Sequence, residues 1–442
     1  MLIHLPEEVK VILHTLQGAG CEAYAVGGCI RDSLLGRTPD DWDITTSARP
    51  EETKALFGKT IDTGIQHGTV TVMRHGRGYE VTTYRVDGEY EDGRHPKEVT
   101  FTASLEEDLK RRDFTVNAMA YNEEDGLVDL FGGRQDLERK IIRCVGEANE
   151  RFEEDALRIM RAVRFSAQLG FTIEERTKEA IRGHADRLRQ VSAERIQMEL
   201  TKLVTSPNPD FLRIAWETGI TAVVLPEFDR LMEQPQNNPH HCFSVGEHTL
   251  HAMRAVRPDK CLRLAMLLHD VAKPLCLTTD EAGIDHFHGH AQKGERIAAQ
   301  ILKRLRYDNH TTELVSRLVK WHDAAIEPEK KAVRRAASRM GKDLFPLILE
   351  VKAADLAAQS DYRRAEKQEW LEQLRGLYEE IEREGDCLTI KDLAVNGRDL
   401  MRAGMEPGPQ LGRTLQGLLE IVLEDPEKNT KEYLLSLLPK ET

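Results

Sequence analysis

Apolar and polar positions follow two different periods along the 442-residue chain. Residues 1–17 place apolar side chains at helical spacing between Glu and Lys. Short β-branched or aromatic runs follow, such as residues 68–72 and 79–84, and Gly-containing turns separate them, which predicts strands in the first ~140 residues. From about residue 150, long segments of Ala, Leu, Glu, Arg and Gln have helical periodicity. The pattern predicts an α+β fold, with a sheet-containing head followed by a helical body.

Polar, Pro-rich segments predict how the helical part is divided. Residues 232–241 contain two Pro and two Asn, which is typical of a linker or loop. A histidine-rich section follows, and another boundary is expected between residues 360 and 385. We therefore predict four parts: a head (1–140), a helical neck (141–235), a histidine-rich domain (236–360) and a helical tail (361–442).

Composition excludes several classes of protein. The chain has 75 acidic and 62 basic residues and a net charge of −13, which argues against a generally basic nucleic-acid coat but permits a local basic groove. No run approaches the ~20 apolar residues that span a bilayer, and the first residues lack the apolar core of a signal peptide. Seven cysteines without a C-x-x-C pair predict neither a disulfide framework nor a thiolate zinc site. We expect a cytoplasmic protein without a membrane partner.

Two motifs in the head indicate phosphate and metal chemistry. Gly27 and Gly28 lie between an apolar run and a predicted helix, where backbone amides can approach a phosphate, and Arg31 adds a forked donor. Asp41 and Asp43 are two residues apart, so on a strand both carboxylates point to one side. Like charges that close favour a divalent cation between them, and hard oxygen ligands suit Mg²⁺. Each motif alone is usually a turn or a solvated strand end, but together they indicate metal-dependent phosphoryl or nucleotidyl transfer.

The combined order G-G-x-x-R-D, L-G and D-x-D resembles the signature of the class II tRNA nucleotidyltransferases, which include CCA-adding enzymes and bacterial poly(A) polymerases. Residues 111–118, R-R-D-F-T-V-N-A, are similar to a second motif of that family. The resemblance implies that Arg112 and Asn117 serve the phosphates and sugar of a nucleotide, whereas helix capping is the structural alternative for Asp113 and Asn117. Glu80 is a candidate third acidic group near the metals, with an exposed strand glutamate as the alternative.

A polar loop and a charged helix complete the family pattern. Residues 90–96 resemble a mobile loop that the family associates with switching from C to A addition, although an ordinary surface loop fits the composition too. Residues 153–165 predict one amphipathic helix. Its segment E-D-x-x-R-x-x-R resembles the family's base-reading motif, which implies that Asp155 and Arg158 contact the Watson–Crick edge of the incoming base. Arg161 and Arg164 would bind phosphates or brace that pair; a solvated helix face is the alternative.

Histidines and aspartates further along the chain indicate a second metal site. His269 and Asp270 end an apolar helical run, where unpartnered polar groups would be costly. The order H…HD…D resembles the HD phosphohydrolase superfamily, which implies the primary metal ligands His248, His269, Asp270 and Asp355. His290 and His322 would complete a second metal position. Imidazole with carboxylate suits Mn²⁺, Fe, Ni²⁺ or Zn²⁺. An active hydrolase and a purely structural domain both remain open.

Six basic residues without an intervening acid occupy residues 330–342. They fit either phosphate pairing along a tRNA backbone or a solvated helix.

The resemblance implies a CCA-adding enzyme that extends the tRNA 3′ end from CTP and ATP with Mg²⁺, without a nucleic-acid template. Alternatives are a poly(A) polymerase, an enzyme that adds only A, or an HD hydrolase whose head is a regulatory RNA-binding module.

Overall fold

A computed structural model describes residues 3–87 and 99–438 of the chain. It divides into two compact units, Met1–Asp229 and Arg230–Thr442. The first unit holds the large sheet, and the second is helical except for one short strand pair among its described residues. The predicted α+β fold, with a sheet-containing head before a helical part, is confirmed. The polar loop at residues 90–96 lies outside the described residues.

The first unit contains the following helices and strands in chain order: α1 (Glu7–Gly18), β1 (Ala23–Val26), α2 (Gly28–Leu34), β2 (Asp43–Thr46), α3 (Pro50–Leu56), β3 (Thr60–Gly64), β4 (Thr69–Arg74), β5 (Arg77–Thr83), β6 (Arg85–Asp87), β7 (Val99–Phe101), α4 (Leu105–Lys110), β8 (Met119–Asn122), β9 (Gly126–Asp129), α5 (Gly133–Arg139), β10 (Ile141–Ile142), α6 (Ala148–Glu154), α7 (Leu157–Leu169), β11 (Thr172–Ile173), α8 (Glu175–His184), α9 (Ala193–Val204), α10 (Leu212–Glu217) and α11 (Ile220–Val224). Helix α12 (Pro226–Glu233) crosses from this unit into the next.

The head is built on a seven-stranded mixed sheet with the order β3-β4-β5-β2-β1-β8-β9. Its neighbouring strands are antiparallel except β2 and β5, which are parallel. All four residues of the interior strand β1 are buried, as expected of a strand covered on both faces. Val26 at the end of β1 is opposite Asp43 at the start of β2. The sheet therefore presents the beginning of β2 at the edge where the glycine turn leaves β1.

The neck corrects the prediction of one continuous helix over residues 153–165. Helix α6 ends at Glu154, and Asp155 has an extended backbone with φ −142° and ψ 104° before α7 begins at Leu157. The Asp155 carboxylate accepts a hydrogen bond from the Leu157 amide at 3.0 Å, which satisfies an unpaired donor at the start of α7. Asp155 is thus held at a break between two helices, where its side chain is fixed by the backbone.

The second unit continues with these elements: α13 (Val245–Ala255), α14 (Lys260–Leu268), β12 (Thr278–Thr279), β13 (Asp285–His286), α15 (His290–Arg304), α16 (Asn309–Trp321), α17 (Lys330–Met340), α18 (Phe345–Ala357), α19 (Arg364–Glu384), α20 (Gly397–Arg402), α21 (Pro409–Glu424) and α22 (Lys431–Ser436). Side chains cap several of these helices at their first turn: Ser244, Asp259 and Asp308 accept hydrogen bonds from the amides of α13, α14 and α16.

The basic run of residues 330–342 is largely engaged within the protein. Buried Arg334 on α17 donates to the carbonyl oxygens of Leu423 and Glu424 at 2.8 and 3.2 Å, and so caps the end of α21. Its guanidinium also lies 3.1 Å from the Asp386 carboxylate. Three further members form ion pairs with glutamates of α19 and α21, namely Lys330, Lys331 and Arg335. These four side chains therefore connect helices of the second unit, which neither sequence alternative anticipated.

Candidate functional site

The glycine turn after β1 is built so that an arginine can lie directly against it. Gly27 has a φ of 84°, a conformation that favours glycine, and its amide donates to the Met119 carbonyl at 3.1 Å. A Cβ at Gly27 would stand 3.2 Å from Arg112 Nη1. Gly28 begins α2, so its amide lies in the unpaired first turn of that helix. Backbone and guanidinium donors therefore meet at one place.

Three carboxylates gather beside this turn. Asp43 is the first residue of β2, and Asp41 lies two residues earlier, before the strand rather than on it as predicted. The parallel register of Ile44 with Val81 places Glu80 on β5 next to Asp43. The pKa of Asp43 is raised, because partial burial and the nearby Asp41 outweigh the opposite effect of Arg112. Burial, Asp43 and Asp41 together raise the pKa of Glu80. This mutual repulsion is the property expected of a divalent cation site.

An arginine-rich cavity of 460 Å³ opens next to Asp43. It lies entirely within the first unit and is lined by head and neck residues. Its charged lining consists of Arg31, Arg111, Arg112, Arg158, Arg161, Arg164, Arg195, Asp43, Asp113 and Asp155. Seven guanidinium groups against three carboxylates favour a polyanionic ligand such as a triphosphate. The local basic groove that the net charge permitted is thus present.

The head arginines are held by polar partners, of which Asn117 and Asp108 are buried. Arg31 forms a two-pronged pair with Asp32 at 2.8 and 2.9 Å and donates to the Asn117 side-chain oxygen at 2.7 Å. Arg112 lies 3.3 Å from Asp108, a fully buried carboxylate on α4. Burial opposes the charge of Asp108, but the neighbouring arginines, Arg111 above all, hold its pKa below the ordinary value. The two arginines expected to bind phosphates are therefore fixed before a ligand enters.

Asp155 and Arg158 line the same cavity but are not paired with each other. Asp155 Oδ2 accepts a hydrogen bond from Arg195 at 2.7 Å, while its other oxygen caps α7. Arg158 is buried and binds Glu154 together with the carbonyl oxygens of Arg151 and Arg111, at 3.1 and 2.9 Å. The structure brings the two predicted base-reading residues together in one cavity, each oriented by other partners.

The two later neck arginines have carboxylate partners as well. Arg161 Nε donates to Asp113 at 2.8 Å, and Arg164 Nε lies 2.9 Å from Glu199. Asp113 also accepts from the Phe114 amide and from Asn117. The capping alternative for Asp113 is thus only part of its role, because the same carboxylate connects a head motif to α7.

Three contributing residues were absent from the sequence predictions, namely Arg195, Glu199 and Asp108. Arg195 and Glu199 are four apart on α9, a spacing that favours an ion pair within one helix. In the structure each instead pairs with an earlier neck residue, Arg195 with Asp155 and Glu199 with Arg164. Asp108 precedes the R-R-D-F motif by three residues and lies in a run of charged residues, so its sequence context carried no sign of burial.

The histidine-rich section converges on one buried aspartate in the second unit. His248, His269 and Asp270 form one group of potential metal ligands, and Asp270, His290 and His322 form another. The Nε2 atoms of His248 and His269 lie 3.3 Å apart, and those of His290 and His322 lie 3.1 Å apart. Asp355 Oδ1 lies 2.8 Å from His248 Nε2. The structure thus brings together all six residues that the resemblance implied.

The opposite ring nitrogens fix the orientation of these four histidine rings. The Nδ1 atoms of His269, His290 and His322 lie 2.7 to 2.8 Å from the carbonyl oxygens three residues before them. His248 Nδ1 lies 3.2 Å from the Ala358 carbonyl oxygen. A proton on each Nδ1 leaves the Nε2 lone pairs facing one another and Asp270, as in a metal-ligand set with oriented imidazoles. A cavity of 250 Å³ opens onto this cluster.

Comparisons with known proteins agree with this geometry. Residues 23–143 match a family model described as the poly A polymerase head domain, and residues 170–232 match one described as a probable RNA and SrmB-binding site of polymerase A. Residues 277–438 match a model of tRNA nucleotidyltransferase domain 2. Fold and matches together are those of a nucleotidyltransferase that acts on RNA.

The family follows from relatives that match nearly the whole chain. A CCA-adding enzyme of Levilactobacillus brevis is 37% identical, covering 98% of both chains, and one of Latilactobacillus sakei is 38% identical, covering 97% of this chain and 96% of its own. The crystal structure of the Bacillus stearothermophilus CCA-adding enzyme in complex with CTP is 33% identical, with a TM-score of 0.74, covering 97% of this chain and 95% of that one. The chain belongs to the CCA-adding enzymes, a family of tRNA nucleotidyltransferases.

These matches confirm the family inferred from the head and neck motifs. Family members use divalent metals, and the structure has residue groups that could hold them. None of the helices in the described ranges, 3–87 and 99–438, is both long and apolar enough to cross a membrane. The assignment of the histidine cluster to the HD superfamily stays a prediction.

Proposed function

We propose that the chain adds C, C and A to the 3′ end of tRNA, using CTP and ATP, at the cavity between Asp43 and Asp155. The observation that carries this proposal is the meeting, in one cavity, of a carboxylate cluster, an excess of guanidinium groups and the side chains of Asp155 and Arg158. The first two features suit nucleotidyl transfer, and the third can select a base.

Different residues of the cavity are assigned to the triphosphate and to the metal. The triphosphate is bound by the Gly28 amide, Arg31 and Arg112. The hydrogen bonds and ion pairs of the two arginines orient them toward it. Asp41 and Asp43 hold Mg²⁺, with Glu80 as a third acidic group beside them. A bound Mg²⁺ supplies the charge that lowers the pKa of the attacking 3′-hydroxyl and balances the leaving pyrophosphate. Catalysis on this proposal is positioning and electrostatics, without a covalent enzyme intermediate.

We assign base selection to Asp155 and Arg158, which lie at the break between α6 and α7 and in the first turn of α7. The carboxylate of Asp155 can accept the amino group of cytosine or adenine, and Arg158 can donate to a ring nitrogen or carbonyl oxygen. Uracil presents a carbonyl oxygen where cytosine has its amino group, so Asp155 would face an acceptor instead of a donor. Arg161 and Arg164 bind phosphates or brace this pair.

Ordered addition is the direct test. Purified protein is incubated with tRNA that lacks CCA, or that ends after C or after CC, and with one labelled nucleotide at a time. We expect C to be added to the first two substrates, A to the third, and no further extension. A long A tail would identify a poly(A) polymerase, and A addition to the CC form alone would identify a restricted enzyme. Asp43→Asn should abolish incorporation, whereas Asp62→Asn, an exposed head aspartate paired with Lys54, should not.

We further propose that the six-residue histidine cluster holds one or two divalent transition metals and hydrolyses a phosphate ester. The support is the approach of the imidazole Nε2 atoms, 3.3 Å between His248 and His269 and 3.1 Å between His290 and His322, around a shared, buried Asp270. With the ring protons on Nδ1, the facing Nε2 lone pairs would repel each other unless a cation lay between them. Buried Lys273 lies 2.7 Å from Asp270 at the cavity wall and adds a positive charge for a phosphate.

Metal content and hydrolysis test this site independently of nucleotide addition. Elemental analysis of the purified protein should find a transition metal, and bis(p-nitrophenyl) phosphate should be cleaved. His269→Ala should lower both, while His310→Ala, an exposed histidine on α16, should change neither. Metal without cleavage would make the domain structural. Since the proposed reaction consumes CTP, ATP and tRNA, we also propose that the chain acts in the cytoplasm.

A further inference from the structure

One aromatic ring lies among the arginines that line the cavity. Phe165 on α7 is 7% exposed and lines the cavity. Three guanidinium groups approach its ring, with carbon-to-centroid distances of 5.3 Å for Arg31, 5.3 Å for Arg161 and 3.9 Å for Arg164. The ring also meets Phe114 edge-on, with centroids 5.8 Å apart. Phe165 is therefore the group that a head arginine and two neck arginines share.

The guanidinium groups of Arg31, Arg161 and Arg164 repel one another, and contact with the Phe165 ring offsets part of this repulsion. Burial lowers the pKa of Arg164 to about 10; Glu199 opposes this shift, whereas Arg161 and Arg31 add to it. Each arginine has its own carboxylate, and these carboxylates lie on three different segments of the chain. An aromatic face attracts a cation without occupying its N–H donors. The ring can thus hold guanidinium groups close together while leaving donors available to an anion.

We propose that Phe165 is a positioning residue that keeps Arg31, Arg161 and Arg164 at the spacing required to bind the phosphates of the incoming nucleotide. This inference rests on the proposed nucleotidyl transfer, because it assigns the arginine cluster to the triphosphate. Phe165 touches neither the base nor the reacting atoms on this proposal. Its loss should therefore weaken phosphate binding and leave base choice intact.

The test replaces the ring while keeping the side chain apolar. In Phe165→Leu we expect the Kd for CTP and the Kd for inorganic triphosphate to rise by a similar factor, about tenfold, since up to three cation–π contacts are lost. The KM for CTP should rise in parallel, and the preference for CTP over UTP should stay at the wild-type value. Phe165→Tyr keeps the ring and should bring both dissociation constants back to within about twofold of wild type.

A matched control separates this role from ordinary core packing. Phe345→Leu removes a fully buried ring that packs on Tyr378 in the second unit, so it should lower the melting temperature without changing the Kd for inorganic triphosphate. If Phe165→Leu fails to fold, Phe165→Met, which keeps more of the side-chain volume, is measured instead.

The outcomes distinguish the two proposals. Wild-type affinity for inorganic triphosphate in the folded Phe165→Leu or Phe165→Met protein would overturn the positioning role, and so would failure of Phe165→Tyr to restore binding. Nucleotide addition by the wild-type protein would still stand in either case. Conversely, a wild-type protein that binds triphosphate through Phe165 but adds no nucleotide to tRNA would support the positioning role and overturn the proposed function.

Discussion

Asp113 offers a quantitative test of how the head motif is joined to the neck helix. Its carboxylate is 7% exposed and accepts hydrogen bonds from Arg161 Nε at 2.8 Å, the Phe114 amide at 2.8 Å and Asn117 at 3.2 Å. Burial alone would raise its pKa, but Arg161, Asn117 and Arg158 outweigh burial and lower the pKa from 3.8 to about 2. The pKa of Arg161 is raised, in agreement.

The lowered pKa of Asp113 predicts how much stability the protein loses when this carboxylate charge is removed. At ~1.4 kcal/mol per pKa unit, the charged form stabilises the fold by about 2 kcal/mol at pH 7, with Arg161 partly open to solvent. Asp113→Asn should therefore lower the melting temperature of the first unit by about 4–8 °C. Since the folded-state pKa is depressed, this contribution is complete above pH ~4 and disappears as the pH falls through about 2.

Differential scanning calorimetry at pH 7 and pH 3 measures both parts of the prediction. The difference between wild type and Asp113→Asn should fall to about half at pH 3, because that pH lies between the two pKa values. Asp186→Asn removes an exposed aspartate that lies 3.4 Å from Arg189, and it should change neither scan. An equal difference at both pH values, or none at pH 7, would show that the charge of Asp113 does not connect the motif to α7.

Three further substitutions test other contacts. In steady-state assays, Arg195→Ala should raise the KM for CTP several-fold and weaken the preference for CTP over UTP, because Asp155 loses the donor that orients it. Arg195→Lys should partly restore the KM and the preference. Arg334→Met should destabilise the second unit by about 3 kcal/mol in urea unfolding, since its removal leaves buried partners unpaired; an unchanged midpoint would contradict this. Gly133→Ala should cost about 2 kcal/mol or more, because its methyl would stand 2.9 Å from the carbonyl carbon of Thr115, and a melting curve like wild type would refute the clash.

The sequence indicated the motifs that line the candidate site, but not the residues that orient them. The glycine turn, the D-x-D motif and the R-R-D-F motif can each be recognised from a few consecutive residues, and the sheet brings the three motifs together. The charged face of the neck was predicted as one helix, whereas the structure breaks it at Asp155. Helical periodicity does not register such a break, because the capping bond that fixes it depends on a single side chain.

Partners distant in sequence explain most of what could not be predicted. Arg195 lies 40 residues from Asp155, and Arg334 lies about 90 residues from the carbonyl oxygens that it caps. A charged side chain in a helix is on average solvated, so its burial depends on which helices pack against it. The histidine cluster was easier to predict because buried metal-binding residue types are rare enough to be recognised individually.

The histidine cluster has one property with consequences for its evolution. Three of its four imidazoles are oriented by a carbonyl oxygen only three residues earlier in the chain. The direction of each of these rings is consequently a local property, whereas the distances between them depend on helix packing. Core substitutions that shift α14, α15 or α16 by small amounts would change the distances between the Nε2 atoms without turning the rings. The site can thus tolerate drift in the surrounding core more readily than one whose ligands are aimed by remote contacts.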